Sequence, residues 1–366
     1  MTFSAQFVKS LVGRIFPSLR KTQKVNLSLS IFGQIKTQSG LMSVIVREVP
    51  GAFKHKHRLK RFWRFISNPR IKPEKMYPLW VKWCINKFNK DRIVKVAIDW
   101  TTLPGNIQCL MIAIPFKGRA IPLIWQLVLY RDIKDSQNRI EERLIARLSN
   151  ILKEVFPDKK LLIIADRGFG RATFIEFLIK KNLLFVIRVK ADVIIKTSRG
   201  KSWILRNLGK TLKPNIPLWF ENITYRSDGK VEGVNLTSVF TPVKNKEDDP
   251  WFLVTNLRKA ETAIERYRKR FQIEEWFKDL KHQLGISKLQ TKNLMRVRRM
   301  VLISSVAYAI VMLIGTVADR LKTIKDNLIT GGKKAASRIW FALEIIKHKL
   351  LGKNFWRKVY IRGTAP

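Results

Sequence analysis

The sequence predicts an α/β fold: a mixed strand and helix core, interrupted by a mostly β insertion and flanked by helical basic regions at both ends. Three observations carry this. Between residues 93 and 189, runs rich in Ile, Val and Leu and bounded by turn residues alternate with amphipathic stretches. Residues 190–256 change to short candidate strands separated by polar turns. Residues 1–92 and 285–366 carry net charges of +17 and +14, against +14 for a centre more than twice as long as either.

The N-terminal region reads as helical in pieces. Leu59, Phe62, Trp63 and Ile66 recur at helical spacing among Lys54, Lys56, Arg58, Lys60, Arg61 and Arg64, and Asn68-Pro69 ends the segment. A basic helix with a partly aromatic apolar face suits a bundle that contacts DNA; a surface helix with its apolar face in the core has the same pattern. His55 and His57 sit inside that basic cluster and are read as added contacts there, not as metal ligands.

Three strands open the centre, IVKVAID (93–99), NIQCLMIAIPF (106–116) and RAIPLIWQLVLY (119–130), and the short gaps between them favour an antiparallel meander. A helix is expected at about 139–155, then the strand LLIIAD (161–166), a helix at about 171–181 and the strand LLFVIRV (183–189). That alternation points to parallel pairing. Candidate strands at 217–225, 231–240 and 251–255 make up the insertion, and a long charged helix is expected from about Glu261 to Gln283, stopped by Gly285.

Composition narrows the function. The formal charge is +45 over 366 residues, while 46% hydrophobic residues with 11 Trp and 21 Phe exclude a disordered polycation. A folded protein this basic works against something acidic, nucleic acid first and an anionic membrane surface second. Cys84 and Cys109 are the only cysteines, which excludes a disulfide framework or zinc ribbon and fits a reducing compartment. No signal peptide is expected. Met300–Ala318 is 19 residues without a charge, long enough to cross a bilayer, but Ser304, Ser305, Tyr308, Gly315 and Thr316 dilute it. A helix buried on all sides in a large core is the favoured reading.

Two carboxylates occupy telling positions: Asp99 is expected to close the first central strand and Asp166 to close LLIIAD. An acid at the end of an apolar strand is costly unless a cation or donor compensates it, and two on neighbouring strands suit a hard divalent cation. On the charged helix, Tyr267, Arg270, Glu274 and Lys281 fall within roughly a 60° sector of one face. Ile273, Trp276 and Leu280 point elsewhere and can bury against the sheet, and Glu275 points about 100° from Glu274. A phenol, a guanidinium, a carboxylate and an ammonium in line suit a metal ligand among phosphate contacts; a solvated helix with i,i+4 charge pairs fits the spacing equally well. Gly168 and Gly170 lack the spacing and lysine of a nucleotide-phosphate loop.

The segment YRKRFQIEEWFKDLK (267–281) resembles the YREK signature of the DDE transposases of bacterial insertion-sequence family four. VAIDWT (96–101) resembles that family's first-Asp motif and IIADRGFG (163–170) its second, in the same order. The resemblance covers roughly residues 93–284 and implies an RNase H-like catalytic core. The implied division is 1–92, helical, basic and DNA-binding; 93–189, first part of the core; 190–256, β insertion; 257–320, second part of the core with the YREK helix; and 321–366, a basic helical C-terminal region.

The resemblance also implies that Asp99, Asp166 and Glu274 are catalytic and bind two Mg²⁺ ions, with Mn²⁺ able to substitute, while Tyr267, Arg270 and Lys281 contact phosphates. The implied reaction is cut-and-paste transposition: hydrolysis at terminal inverted repeats through a hairpin with a flipped base, then attack of the freed 3′-OH on target DNA. Trp251, in PWFLVTN (250–256), is the aromatic expected on the flipped base, with Trp219 a weaker rival. The implied partners are double-stranded DNA and a homodimer or higher multimer, in the bacterial cytoplasm near the nucleoid and with no membrane. An RNase H-like nuclease without strand transfer and an inactive DNA-binding relative are the competing readings.

Overall fold

A computed structural model describes residues 3–133, 136–226, 231–240, 249–319 and 337–365. The expected apolar runs become a meander of β1 (Ile93–Leu103), β2 (Ile107–Phe116) and β3 (Arg119–Leu129). The β2–β3 turn places Lys117 and Gly118 both at positive φ, 49° and 83°, the two-residue geometry that matches strand twist. Helix α1 (Gln137–Val155) then returns the chain to β4 (Lys160–Ala165), parallel to β1, and α2 (Ala172–Lys180) returns it to β5 (Leu184–Arg188), parallel to β4.

The next strands do not form a sheet of their own. After β6 (Ile194–Lys196), β7 (Ser202–Ile204), β8 (Leu218–Tyr225) and β9 (Val231–Val239), strand β10 (Trp251–Thr255) pairs antiparallel with β5. One ten-stranded sheet results, in the order β3-β2-β1-β4-β5-β10-β9-β8-β6-β7. β10 thereby covers the β5 edge, whose backbone groups would otherwise lack ladder partners.

The expected single helix over 261–283 is split. Helix α3 (Ala260–Arg268) gives way to a 3-10 turn at Lys269–Phe271, and α4 (Gln272–His282) follows. Three residues wound at about 120° instead of 100° advance the phase by about 60°, which moves Glu274 from about 20° on one side of Tyr267 to about 40° on the other. Ile273, Trp276 and Leu280 are fully buried, as their spacing requires.

The uncharged run lies in α5 (Leu294–Ala318), the one described helix long and apolar enough to cross a membrane, and its most apolar window is wholly buried inside the fold. Its neighbours come from both ends of the chain. Helix α6 (Lys21–Thr37) supplies Gln34, whose Nε2 donates to Ser304 Oγ at 2.9 Å and to the Leu284 carbonyl at 3.1 Å. Helix α7 (His55–Ser67) is held by buried Arg299, which donates to the Ile66 and Ile71 carbonyls, both at 2.8 Å.

The two basic flanks also pack on each other, so they are not separate arms. Phe7 of α8 (Ala5–Ile15) meets Trp356 of α9 (Lys353–Thr364) edge-on at 5.9 Å. Trp83 of α10 (Pro73–Phe88) donates to the Gly363 carbonyl at 2.8 Å. Helix α11 (Arg338–His348) packs on α5. The expected helical character of 321–336 lies outside the described residues. Cys84 and Cys109 are free and buried, and burial pushes the Cys109 thiol up to about 12.

Candidate active site

Parallel pairing of β1 and β4 runs to Ala97 opposite Ile164. Two residues further along each chain come Asp99 and Asp166, so the register sets the two carboxylates side by side. Asp99 does not close its strand, as the sequence reading had it: β1 continues to Leu103, with Asp99 opposite Met111 of β2. The apolar run ends at Asp99, but hairpin pairing with β2 carries the extended backbone four residues on. Asp166 does end β4. It caps a 3-10 turn over Arg167–Phe169, its Oδ1 accepting from the Gly168 N–H at 2.9 Å. Asp99 Oδ1 accepts from the Trp100 N–H at 2.8 Å.

Burial first, and then the neighbouring Asp166, push the Asp99 carboxyl up to about 6, while Arg270 pulls it down. A folded-state value above the unfolded 3.8 means the folded protein holds this proton more tightly. The contribution therefore favours the fold at acid pH and is lost as pH rises through about 6. Asp99→Asn is expected to stabilise the metal-free protein by roughly 1–3 kcal/mol at pH 7.5 and by almost nothing at pH 4. Urea unfolding in chelator at both pH values checks this; an equal effect at both contradicts it.

Arg270, in the 3-10 turn, fills the space between the acids. Its Nη1 lies 3.4 Å from Asp99 Oδ2, and its Nη2 pairs with Glu274 in the first turn of α4. The guanidinium is 7% exposed and lies over the Phe271 ring at 4.6 Å. Asp99, Asp166, Arg270 and Glu274 thus form one cluster. Glu275 faces away, pairing with Lys278 at 2.6 Å and Arg119 at 3.4 Å.

Tyr267 and Trp251 form a second group beside the first. The Tyr267 ring is buried, edge-on to Trp251 at 4.8 Å, with half-exposed Phe271 completing the cluster. Burial pushes the Tyr267 hydroxyl above its ordinary value, and Arg188 hydrogen-bonds to it. Trp251 is half-buried at the start of β10. Trp219 lies on β8 with its Nε1–H donating to Glu221 at 3.0 Å. Lys281 is half-buried near the end of α4, about two turns beyond Glu274, and His282 beside it is exposed.

On α7 and its N-cap, Lys54, Lys56, Lys60, Arg61 and Arg64 are exposed, while Phe62, Phe65 and Ile66 are core. Arg58 donates to the Arg47 carbonyl at 3.4 Å and also bonds the Gly51 carbonyl, and Arg61 bonds Asn26 at 2.6 Å. These two therefore also brace their own helix.

Sequence reading missed a basic cleft of about 510 Å³ next to Asp166, lined by Arg167, Arg171, Lys190 and Arg226, with Asp192 as a counter-charge. Arg188 and Arg206 line the adjoining hollow. Only Arg167, following the second Asp, carried a signal; the others come from four separate segments that strand pairing brings together.

Among the described residues no three His, Cys, Asp or Glu side chains stand close enough to hold a metal ion. The donor chemistry nonetheless fits a hard divalent cation. Asp99, largely buried, is strained by the charge of the neighbouring half-buried Asp166, and Glu274 meets Asp99 across a single guanidinium that serves both as cation.

Residues 92–310 match the family model described as the transposase DDE domain. No curated protein matches the chain.

Proposed function

The chain belongs to the transposase DDE domain family, whose model covers more than half of it, and we propose that it is a cut-and-paste DNA transposase of the insertion-sequence family four type. The observation that carries the reading is the cluster of Asp99 on β1 and Asp166 directly after the parallel β4, with Glu274 joined to Asp99 through Arg270. Strand order β3-β2-β1-β4-β5, with β1, β4 and β5 parallel, supports an RNase H-like core, and the strands beyond β5 support an insertion extending its sheet.

Asp99, Asp166 and Glu274 would hold two Mg²⁺ or Mn²⁺ ions. When bound, such ions supply Lewis-acid stabilisation of the attacking and leaving oxygens of an in-line displacement at phosphorus. The protein groups do the rest. Oδ1 of each aspartate is held by a backbone N–H, which fixes the carboxylate planes. Arg270 sets a positive charge between acids that would otherwise repel a scissile phosphate. Lys281 extends the polar contacts along the DNA, and the buried Tyr267 hydroxyl, hydrogen-bonded by Arg188, steadies that guanidinium toward the phosphates. Trp251 offers an aromatic face for a flipped base, a contact worth about 1–3 kcal/mol. Water attacks at the terminal inverted repeats, and the freed 3′-OH attacks the opposite strand to close a hairpin and release the flanking DNA. A second water opens the hairpin and restores that 3′-OH, which then joins target DNA.

Two ends must be cut and joined together, so a homodimer or higher multimer on paired ends is the working form. The apolar length of α5 is used in the core, so no membrane partner is proposed; the compartment proposed is the one that holds the DNA substrate, the bacterial cytoplasm. Exposed Lys56, Lys60 and Arg64 are assigned to phosphates. Replacing all three by alanine should weaken binding and lower the slope of log affinity against log salt by about 3, near 0.9 per contact. Titrations at several salt concentrations check this, and an unchanged slope would remove α7 from the DNA surface.

The test of function is a labelled DNA fragment carrying the element's end, incubated with protein and Mg²⁺ and resolved on a denaturing gel beside Glu274→Ala. A nick followed by hairpin and joined products, absent from the variant, supports transposition. Cleavage without joining favours a nuclease, and binding without cleavage favours an inactive relative.

A further inference from the structure

The geometry points to Glu141 as a positioning residue that ties Asp99 and Asp166 to each other through the protein interior, an inference that rests on the transposase reading above. Glu141 lies on α1, the helix between β3 and β4, and its side chain has no exposure to solvent. Burying a carboxylate costs several kcal/mol unless it is paired and hydrogen-bonded, so the contacts it makes are informative. Its Oε1 accepts from the Trp100 indole N–H at 2.8 Å and from Gln137 Nε2 at 2.9 Å. Its Oε2 pairs with Arg171 Nη2, and the other arm of that guanidinium, Nη1, donates to the Gly168 carbonyl at 2.6 Å.

Both ends of this path finish on an active-site carboxylate. The Trp100 N–H donates to Asp99 Oδ1, and the Gly168 N–H donates to Asp166 Oδ1. Side chain, backbone and ion pair thus run from Asp99 through Trp100, Glu141, Arg171 and Gly168 to Asp166. A second brace holds the same turn, since the Tyr225 hydroxyl donates to the Gly170 carbonyl at 2.6 Å. The β1–β4 ladder stops two residues short of the aspartates. Beyond it, Glu141 bonds to the segments that follow both of them, at Trp100 after Asp99 and at Arg171 after Asp166. Glu141 does not touch the reacting atoms; it fixes the spacing and rotation of the two groups that do.

The test uses the full chain. Calorimetric titration with Mn²⁺ and urea unfolding are run on the wild type and Glu141→Gln, with kcat and KM for end cleavage. Glu141→Gln is expected to weaken Mn²⁺ binding about 10–100-fold and to lower kcat in step, with KM for DNA unchanged. Because this variant leaves Arg171 without its counter-ion and can cost the fold, Glu141→Gln combined with Arg171→Gln removes both charges. If the pair acts only as structural mortar, the neutral pair restores the unfolding midpoint and Mn²⁺ affinity together. A positioning role predicts a restored midpoint with affinity and kcat still low. Wild-type Mn²⁺ affinity in either folded variant overturns the inference while leaving the transposase reading intact. A wild type that neither binds Mn²⁺ nor cleaves overturns that reading, and the inference with it.

Discussion

Alanine in place of Asp99, Asp166 or Glu274 should remove cleavage of end DNA while leaving DNA affinity intact. Each substitution deletes a ligand charge. The stabilisation at stake is several kcal/mol, and about 4 kcal/mol corresponds to roughly a thousandfold in rate. The phosphate-contacting surface is untouched, so gel-shift affinity in chelator should stay within about threefold of wild type, under 1 kcal/mol. The three variants should also fail alike, because residues that act as one unit are not additive. A single-turnover gel assay checks this. Cleavage by any of the three within tenfold of wild type would remove that residue from the site.

Asp279→Ala is expected to be the most damaging single change to the fold near the site, lowering stability by about 2–4 kcal/mol. Asp279 is buried on α4, where its Oδ2 accepts from Arg119 Nε at 2.8 Å and from the Tyr308 hydroxyl at 3.0 Å. This one oxygen binds the Glu274 helix to the start of β3 and to the central helix α5. Burial pushes the Asp279 carboxyl up while Arg119 pulls it back, so the pair is worth little in net terms but costly to break. Removing the acid leaves a fully buried tyrosine hydroxyl without its acceptor and deprives Arg119 Nε of its partner, although that guanidinium, 20% exposed, keeps Glu275 and the Gly118 carbonyl. Urea unfolding measures the loss; a change under about 0.5 kcal/mol, the level of an ordinary surface substitution, would show that packing alone seats α4.

Much of the core was legible because its signals are local. Each of β1 to β5 is an apolar run bounded by Pro, Gly, Asn or charged residues, and their boundaries differ from expectation by a few residues. Asp99 and Asp166 stood out because an acid ending such a run is costly anywhere in the fold. Strands β6 and β7 were not legible: three residues each are too short to display a period.

The break between α3 and α4 was hidden for a different reason. Its residues have ordinary helical propensity, and the 3-10 turn is where Arg270 reaches across to Asp99, a tertiary contact with no sequence period. The basic cleft beside Asp166 and the role of Glu141 were invisible in the same way. Glu141 reads as one more charge on an amphipathic helix until the fold closes Trp100 and Arg171 around it. The docking of the two flanks was missed because an apolar helix face announces burial without naming its partner.

The central claim is that Asp99, Asp166 and Glu274 hold the ions that carry the chemistry, and exchanging a ligand atom tests it most directly. Asp166→Cys replaces a hard oxygen donor by a soft thiolate, which favours Cd²⁺ or Mn²⁺ over Mg²⁺. Cleavage of labelled end DNA is measured for this variant and the wild type in each ion. The account predicts a variant silent in Mg²⁺ that recovers cleavage in Cd²⁺ or Mn²⁺, beside a wild type active in Mg²⁺. A variant that cleaves in Mg²⁺ as fast as the wild type would contradict it.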